Sequence, residues 1–342
     1  MASTPAASTT NLNQQEYLRQ TSLIVSGGSL KGTDALGNPF NGFDLSNLRI
    51  KFSVKRTDTQ TPNTADIRVY NVENQTALDI FLKLSPLRNG VILTNQGVVT
   101  LQAGYESNYG VIFQGNIKQI ILGRESATDT YIDIIAGDGH LAYNFSVVNQ
   151  TLAAGSTQSS QIFASVNEMA KLGVTQGNLG NLPTTKLPRG KVMYGDAKNY
   201  LRAVGQNTGQ TWSIQNGKVT FIPKTSYRAG TAVVLTSKTG LIGTPQQTTT
   251  GVNVKCLLNP LIQVGGLIKI DEASVTDFKI DLSQVGSAAN IPAALNADGV
   301  YYVLVAEYSG DTRGQDWYCT LTCVNQAVTR TPFDSVQVTY GP

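Results

Sequence analysis

Charged side chains are scarce in this sequence, and the shortage narrows the classes of function it can have. Asp, Glu, Lys and Arg make up 14% of the 342 residues, where about a quarter is usual. The formal charge of +3 gives no basic field that would indicate nucleic-acid binding. Because protein interfaces are depleted of Lys, Glu and Asp, the low charge favours a surface that partner proteins cover.

The chain contains a single histidine, His140, so any catalytic triad, Cys-His pair or histidine-bound zinc would have to use it. The surrounding GDGHLAY is typical of a loop that leads into a strand. We interpret His140 as a partly exposed residue near a turn. The sequence therefore predicts no catalytic residues and no metal site.

Cysteine is also rare, with Cys256, Cys319 and Cys323 as its three positions. An odd number argues against a disulfide framework, and the N-terminus MASTPAASTTNLNQQ lacks the basic start and apolar segment of an export signal. No run approaches eighteen consecutive apolar residues. We therefore expect a soluble protein made in the cytosol, with reduced cysteines in its core.

Glycine is abundant, but its clusters do not form phosphate-binding loops. Gly27-Gly28 and Gly265-Gly266 lack the flanking residues of such loops, so turns or bulges explain them better and no cofactor is predicted. The GDTRG segment from Gly310 lacks the acidic spacing of a calcium loop and is predicted to be a polar hairpin tip. Trp212 and Trp317 lie in alternating strand segments, which predicts that both are core residues.

Alternating apolar residues predict a β-rich first region after a polar, partly disordered leader at residues 1–40. Residues 41–150 are predicted to form an antiparallel β-barrel or sandwich. The expected elements are strands at 47–55, 65–69, 98–105, 111–122 and 130–136, and a helix at 75–83.

The pattern changes after residue 150, where apolar residues recur at helical spacing over 161–172. A second helical stripe includes Leu201 and Val204, and Asn216-Gly217 is a strong hairpin signal between two alternating segments. Residues 151–229 are therefore predicted to form an α+β insert domain. Strands return in residues 230–342, which are predicted to form a second β-barrel, with strands at 232–235, 252–258, 267–270, 300–308 and 317–324.

Two segments of the sequence resemble each other faintly. GVIFQGNIKQIILGRESATDTYIDIIAG, from Gly110, and GVYYVLVAEYSGDTRGQDWYCTLTCV, from Gly299, both have a strand, loop and strand pattern. Their positions on either side of the insert suggest a duplicated barrel. The predicted fold class is mainly β, with two antiparallel β-barrels that flank a smaller helix-plus-hairpin domain.

TGLIGTPQQTTTGVNVKCLLNPLIQVGGLIKID, followed by YYVLVAEYSGDTRGQDWYCTLTC, resembles the baseplate hub proteins of tailed bacteriophages. Upstream, TADIRVYNV, VTLQAGYESNYGVIFQGNI and GQTWSIQNGKVTFIPK are also similar to hub segments, so the resemblance spans nearly everything after the first forty residues. The positions that match the hub pattern are Gly243, Pro245, Gly251, Asn259, Pro260, Gly265, Gly310, Asp311 and Trp317.

The resemblance implies a non-enzymatic homotrimer with two tube-like barrels per chain, located in the virion and assembled in the host cytoplasm. Such a ring adapts a hexameric tail tube above it to a threefold spike below it and leaves an axial channel for DNA, which passes without sequence recognition. Baseplate wedge and tape-measure proteins are further implied partners. Membrane insertion by this chain is not expected.

Other functions stay open at this point. Residues 196–223 loosely resemble small peptidoglycan-binding domains, which would make the chain a cell-wall-binding module. Two of the 23 acidic residues could form a glycosidase pair across a cleft, which the sequence cannot place. A tube terminator or baseplate wedge component would keep the phage setting, but the duplicated barrel favours a hub, since tube subunits normally have one barrel.

Overall fold

The structure of the chain is a computed structural model, and β-strands dominate it. The mainly β class predicted from the sequence is confirmed, and the few helices lie mostly in the central part of the chain. The structure describes residues 18–27, 32–33, 39–40, 42–88, 91–92, 97–106, 108–180, 182, 184–224, 226–228, 230, 232–248, 251–270, 277–278 and 299–325.

The elements follow the chain in an order that separates two strand-rich parts by a mixed one. The first part contains β1 (Arg19–Ser26), β2 (Gly32–Thr33), β3 (Pro39–Phe40), β4 (Gly42–Asp44), β5 (Ile50–Thr57), β6 (Thr64–Tyr70), α1 (Asn74–Leu84), β7 (Leu87–Arg88), β8 (Val91–Ile92), β9 (Val98–Tyr105), β10 (Asn108–Arg124) and β11 (Thr130–Gly137). The central part contains α2 (His140–Phe145), β12 (Val147–Leu152), α3 (Ser159–Ala170), β13 (Thr175–Gln176), β14 (Lys191–Asp196), α4 (Ala197–Thr208), β15 (Gln210–Ile214) and β16 (Lys218–Pro223). The last part contains β17 (Val233–Leu235), β18 (Leu241–Gln247), β19 (Gly251–Leu257), β20 (Leu267–Ile270), β21 (Asp277–Phe278), β22 (Val300–Asp311) and β23 (Trp317–Asn325).

The first and last parts share one large sheet. Pairings among the described residues connect fourteen strands in the order β21-β18-β19-β23-β22-β5-β6-β11-β10-β9-β1-β4, with β20 and β17 attached at β22. The two parts meet where β22 pairs antiparallel with β5, from Val305 opposite Thr57 to Asp311 opposite Lys51. Within the described residues these pairings form an open sheet, and neither part closes on itself as a separate barrel.

Strand β5 shows why the sequence forms this sheet. Ile50, Phe52 and Val54 are buried while Lys51 and Ser53 are exposed, so one face of the strand packs in the core and the other meets solvent. Such strict alternation is the pattern that predicted the strand. The segment predicted over 98–105 coincides with β9, and those predicted over 111–122 and 130–136 correspond to β10 and β11.

Strand β1 lies within the segment predicted to be a polar leader, so the leader prediction missed a part of the sheet. It pairs along its whole length with β9, from Arg19 opposite Tyr105 to Ser26 opposite Val98. Leu23 is fully buried there. The strand begins with four polar residues, so the alternation of buried and less buried residues is confined to its second half and was not recognised in the sequence. Residues 1–17 of the predicted leader lie outside the described residues.

Buried apolar side chains form two separate cores. The larger core extends from Leu23 to Cys323 and fills the space under the shared sheet, which makes the first and last parts one packed unit. The smaller core extends from Ala142 to Phe221 and belongs to the central part. Helices α3 and α4 pack on each other there, and the β15–β16 hairpin lies beside α4.

Local signals in the central part are found as predicted. Helix α4 ends at Gly209, which adopts the left-handed conformation with a φ of 65° that favours glycine at this position. Asn216 and Gly217, with φ values of 52° and 71°, form the turn between β15 and β16. Positive φ at both central residues is the requirement of the tightest hairpin turns, which explains the Asn-Gly pair.

Gly251, at the start of β19, lies so close to β23 that a side chain does not fit. A Cβ atom at this residue would be 1.9 Å from the carbonyl oxygen of Cys323, and that oxygen belongs to the backbone of a central strand. We expect Gly251→Ala to lower the free energy of unfolding by about 1–3 kcal/mol, because strands β19 and β23 must separate to admit the methyl group.

The free energies of unfolding of two separate variants, Gly251→Ala and the control Gly110→Ala, are compared by urea unfolding to test this expectation. A Cβ atom at Gly110 would approach Pro260 to 3.4 Å, which is ordinary van der Waals contact, so the same added methyl group should leave stability nearly unchanged there. Equal stability of the two variants would contradict the close approach at Gly251.

Candidate functional site

His140 lies in the central part of the chain, whereas the three cysteines lie on the neighbouring strands β19 and β23. Within the described ranges, no three His, Cys, Asp or Glu side chains lie close enough together to hold a metal ion. The three cysteines are free and buried, and Trp212 and Trp317 are both core residues, as predicted. In the same part of the chain, no helix has the length and apolar character needed to cross a bilayer.

His140 begins helix α2, so the prediction that it leads into a strand was wrong, although it is partly exposed near a turn as expected. The side-chain amide nitrogen of Asn144, one helical turn later, lies 3.1 Å from His140 Nδ1. Partial burial lowers the pKa of His140 from its ordinary 6.5, and the positive charge of Lys118 lowers it further.

Protonation of His140 should therefore cost stability. The folded state binds the proton of His140 more weakly than the unfolded state does. The free energy of unfolding is therefore unaffected by His140 above about pH 6.5, and it decreases as the pH falls from there through the folded-state pKa. We expect an NMR titration of the imidazole signal, which needs no assignment because the chain has one histidine, to give a midpoint below 6.5. A midpoint at or above 6.5 would show that burial and Lys118 do not govern this group.

The GDTRG segment and Trp317 form the tip of the β22–β23 hairpin, and this tip docks against the first part of the chain. Arg49, which precedes β5, donates two hydrogen bonds to the Asp311 carboxylate, from Nη2 to Oδ2 at 2.7 Å and from Nε to Oδ1 at 3.2 Å. The Arg49 hydrogen bonds lower the pKa of Asp311. Arg19 of β1 donates to the carbonyl oxygens of Gly314 and Gln315 at 2.8 and 3.0 Å.

Trp317 is the apolar centre of this docking contact. Its ring packs edge-on against Phe52 of β5 with a centroid distance of 5.5 Å, and the Arg19 guanidinium lies 5.5 Å from the ring centroid on another side. Gly310 permits this arrangement, because a Cβ atom there would be 2.4 Å from the Phe52 ring and 2.8 Å from the Trp317 ring. Residues Gly310, Asp311 and Trp317 are thus brought together by the structure.

The remaining motif positions lie at turns and close approaches of the backbone. Gly243, with a φ of 68°, and buried Pro245 lie in an irregular stretch of β18. Asn259 accepts a hydrogen bond from the backbone of Leu261 at 2.9 Å and so stabilises the turn that contains Pro260. Gly265, with a φ of 85°, lies against Ile222 of the central part.

A buried polar junction, formed by Arg56, Asn63, Asp138 and Gln215, fixes the central part on the sheet. Gln215, before the Asn-Gly turn, accepts a hydrogen bond from Arg56 Nη2 at 2.9 Å and another from Asn63 Nδ2 at 3.0 Å. Asp138 accepts hydrogen bonds from the backbone N–H groups of the next two turn residues at 2.6 and 2.7 Å. All four side chains are buried, so the junction is shielded from water.

Burial raises the pKa of Asp138, while the two backbone donors and the charge of Arg56 act in the opposite direction. Sequence reasoning missed this junction. The sequence did contain one signal for it. Arg56 follows Ile50, Phe52 and Val54 on the buried face of β5, and a buried charge needs hydrogen-bond partners inside the protein. The partners come from residues 63, 138 and 215, which only the fold brings together.

Among the exposed apolar side chains of the described residues, two groups each lie on one face of an element. The first lies on the β12–β14 ribbon, where Val147 is 47%, Val192 73% and Tyr194 76% exposed. The second lies on α1, where Leu78 and Leu82, one turn apart, are 46% and 47% exposed. Large apolar side chains that cluster on a surface indicate contact with other molecules, so these faces are candidate assembly surfaces.

Solved structures of phage tail proteins share this fold. The chain is similar to the 43 kDa tail protein of prophage MuSo2 from Shewanella oneidensis, at 9% identity and a TM-score of 0.51 over 90% of this chain and 98% of that one. It is also similar to a tail protein from Neisseria meningitidis MC58, at 9% identity and a TM-score of 0.52 over 91% of this chain and 98% of that one. No curated protein matches the sequence.

A family model settles the assignment that the fold alone would leave open. Residues 42–274, about two thirds of the chain, match the family described as baseplate hub gp41. The matched segment contains β5, the whole central part and the strands through β20. The chain therefore belongs to the baseplate hub gp41 family of structural phage tail proteins, which places it in the tail baseplate of the virion.

Proposed function

We propose that three copies of this chain form a hub ring that joins a sixfold tail tube to a threefold spike around an axial channel. The ring acts through its interfaces and has no catalytic role. Tail tube protein packs above it and spike protein below it, with wedge and tape-measure proteins as neighbours. DNA passes through the channel without sequence recognition, and the ring assembles in the host cytoplasm.

The observation that carries this proposal is the repeated hairpin within the shared sheet. Hairpin β10–β11 and hairpin β22–β23 are the two similar sequence segments, and each contains an irregular step, between Ile117 and Gln119 in one and between Val303 and Val305 in the other. Three chains with two such units each present six similar elements to a sixfold partner. The single central part of each chain keeps threefold symmetry for the other partner.

Light scattering combined with electron-microscope class averages of the purified full chain tests the proposal. We expect the mass of three chains and a threefold ring with six peripheral lobes and an axial hole. A compact monomer that persists at high concentration would contradict it. Sedimentation of such a monomer with purified peptidoglycan would then favour a cell-wall-binding module.

A further inference from the structure

A threefold ring needs two different surfaces on every chain. A surface that pairs with itself closes a twofold dimer, whereas a threefold ring forms when one surface of each chain contacts a different surface of the next. The two exposed apolar faces described above, the β12–β14 ribbon face and the α1 face, are distinct surfaces of this kind. The ribbon face has basic surroundings and the α1 face has acidic surroundings. This difference favours contact between the two faces over contact of either face with its own copy.

The ribbon face lies in the basic portion of the chain. Nine of the 26 Lys and Arg residues, but only two of the 23 Asp and Glu residues, fall within residues 140–228, so this portion carries a formal charge of +7 and the remainder −4. Lys186 and Arg189 are exposed and directly precede β14, which bears Val192 and Tyr194. The opposite face of the ribbon is buried, with Val148 and Met193 in the smaller core, so the apolar residues point outward on a fixed support.

The α1 face has the opposite surroundings. Exposed Glu73 precedes the helix, and Asp79 lies between the two exposed leucines. The exposed loop that ends β10 adds Asp129, which is held beside the start of the helix by a 3.1 Å hydrogen bond from Asn71. Lys83, which pairs with Asp79 at 3.0 Å, is the cation on the helix itself. On α1 and at the residue before it, two carboxylates therefore stand against one cation, while the inner side of α1 is fixed by buried Ile80 and Leu84.

We propose that the ribbon face of one chain docks on the α1 face of the next chain around the ring, with Val192 and Tyr194 against Leu78 and Leu82. Lys186 and Arg189 then meet the carboxylates beside α1. Opposite charges around two apolar faces favour this pairing and oppose contact of either face with its own copy, because like charges would then be brought together. This inference rests on the proposed ring and names the surfaces that close it.

Site-directed cross-linking between chains tests the contact. One chain carries Leu78→Cys or Leu82→Cys and a differently tagged chain carries Val192→Cys or Tyr194→Cys, and each of the four combinations is co-expressed and oxidised. The native cysteines are buried, and the chain without an added cysteine serves as the control. We expect disulfide-linked pairs that contain both tags in at least one combination, because bonded cysteines need Cα atoms within about 7 Å.

Charge reversal gives a second, independent readout. We expect Lys186→Glu combined with Arg189→Glu to shift the mass from three chains to one at moderate salt, and the added change Glu73→Lys to restore part of the assembly. Lys218→Glu, at an exposed position of the same basic portion but away from the ribbon, is the matched control and should leave the mass unchanged.

The outcomes separate this contact from the ring itself. A wild-type chain that is monomeric would overturn the proposed ring. A wild-type trimer with no mixed-tag cross-link in any combination, and with an unchanged mass after charge reversal, would retain the ring and refute the contact. Cross-links that join two chains with the same tag as readily as mixed ones would show that a face pairs with its own copy.

Discussion

Replacing Asp138 with alanine should destabilise the chain more than any other single change in the polar junction. The substitution removes the acceptor of two partly buried backbone N–H groups, those of Asn216 and Gly217, and leaves them without this partner. It also removes a carboxylate whose charge interacts with that of the buried Arg56 guanidinium. Each unsatisfied buried donor costs about 1–3 kcal/mol, so we expect a loss of about 2–5 kcal/mol in the free energy of unfolding.

Urea unfolding monitored by circular dichroism gives the free energy of unfolding of Asp138→Ala. Two further variants serve as controls for it. Asp66→Ala removes a carboxylate from an exposed position of β6 and should change stability by less than about 0.5 kcal/mol. Asp138→Asn retains one acceptor oxygen and should fall between the wild type and Asp138→Ala. If Asp138→Ala and Asp66→Ala are equally stable, the junction does not hold the central part on the sheet.

Truncation of Trp317 should have an effect of similar size through a different mechanism. Its side chain is fully buried between Phe52 and Arg19, where the last part of the chain docks on the first. Removal of a buried tryptophan leaves a cavity and loses apolar contact, which costs about 3–5 kcal/mol. We expect Trp317→Ala to lose this much, and Trp317→Phe to lose clearly less because an aromatic ring remains beside Phe52.

Denaturant unfolding measures both Trp317 variants, with the fluorescence of the remaining Trp212 as a second probe. Trp212 lies in the smaller core, so its signal reports on the central part. We expect the circular-dichroism transition to shift to lower denaturant in Trp317→Ala. A stability within about 1 kcal/mol of the wild type would show that the hairpin tip does not depend on this side chain.

Many individual elements could be predicted because their signals are local. Strands such as β5 and β9 show alternation of buried and less buried residues with a period of two. Helix α4 ends where Gly209 can adopt the left-handed conformation, which the glycine itself indicates in the sequence. The polar beginning of β1 and the position of His140 at a helix start were misjudged. In both places the local pattern is too short to distinguish a helix, a strand and a loop. The conformation depends there on packing and strand pairing with distant residues.

The sequence by itself determined the strand-rich class, the helix-plus-hairpin centre, the core positions of the cysteines and tryptophans, and the hub resemblance, since each depends on residue order and periodicity. Only the tertiary structure decided that both β parts form one sheet through β5 and β22, that Arg56 meets Gln215, and that Asp138 meets the turn that follows Gln215. It also decided which apolar residues stay exposed. Such facts depend on contacts between residues that are far apart in the sequence, at least 78 positions for these contacts at the junction, and they leave no periodic signal in the chain.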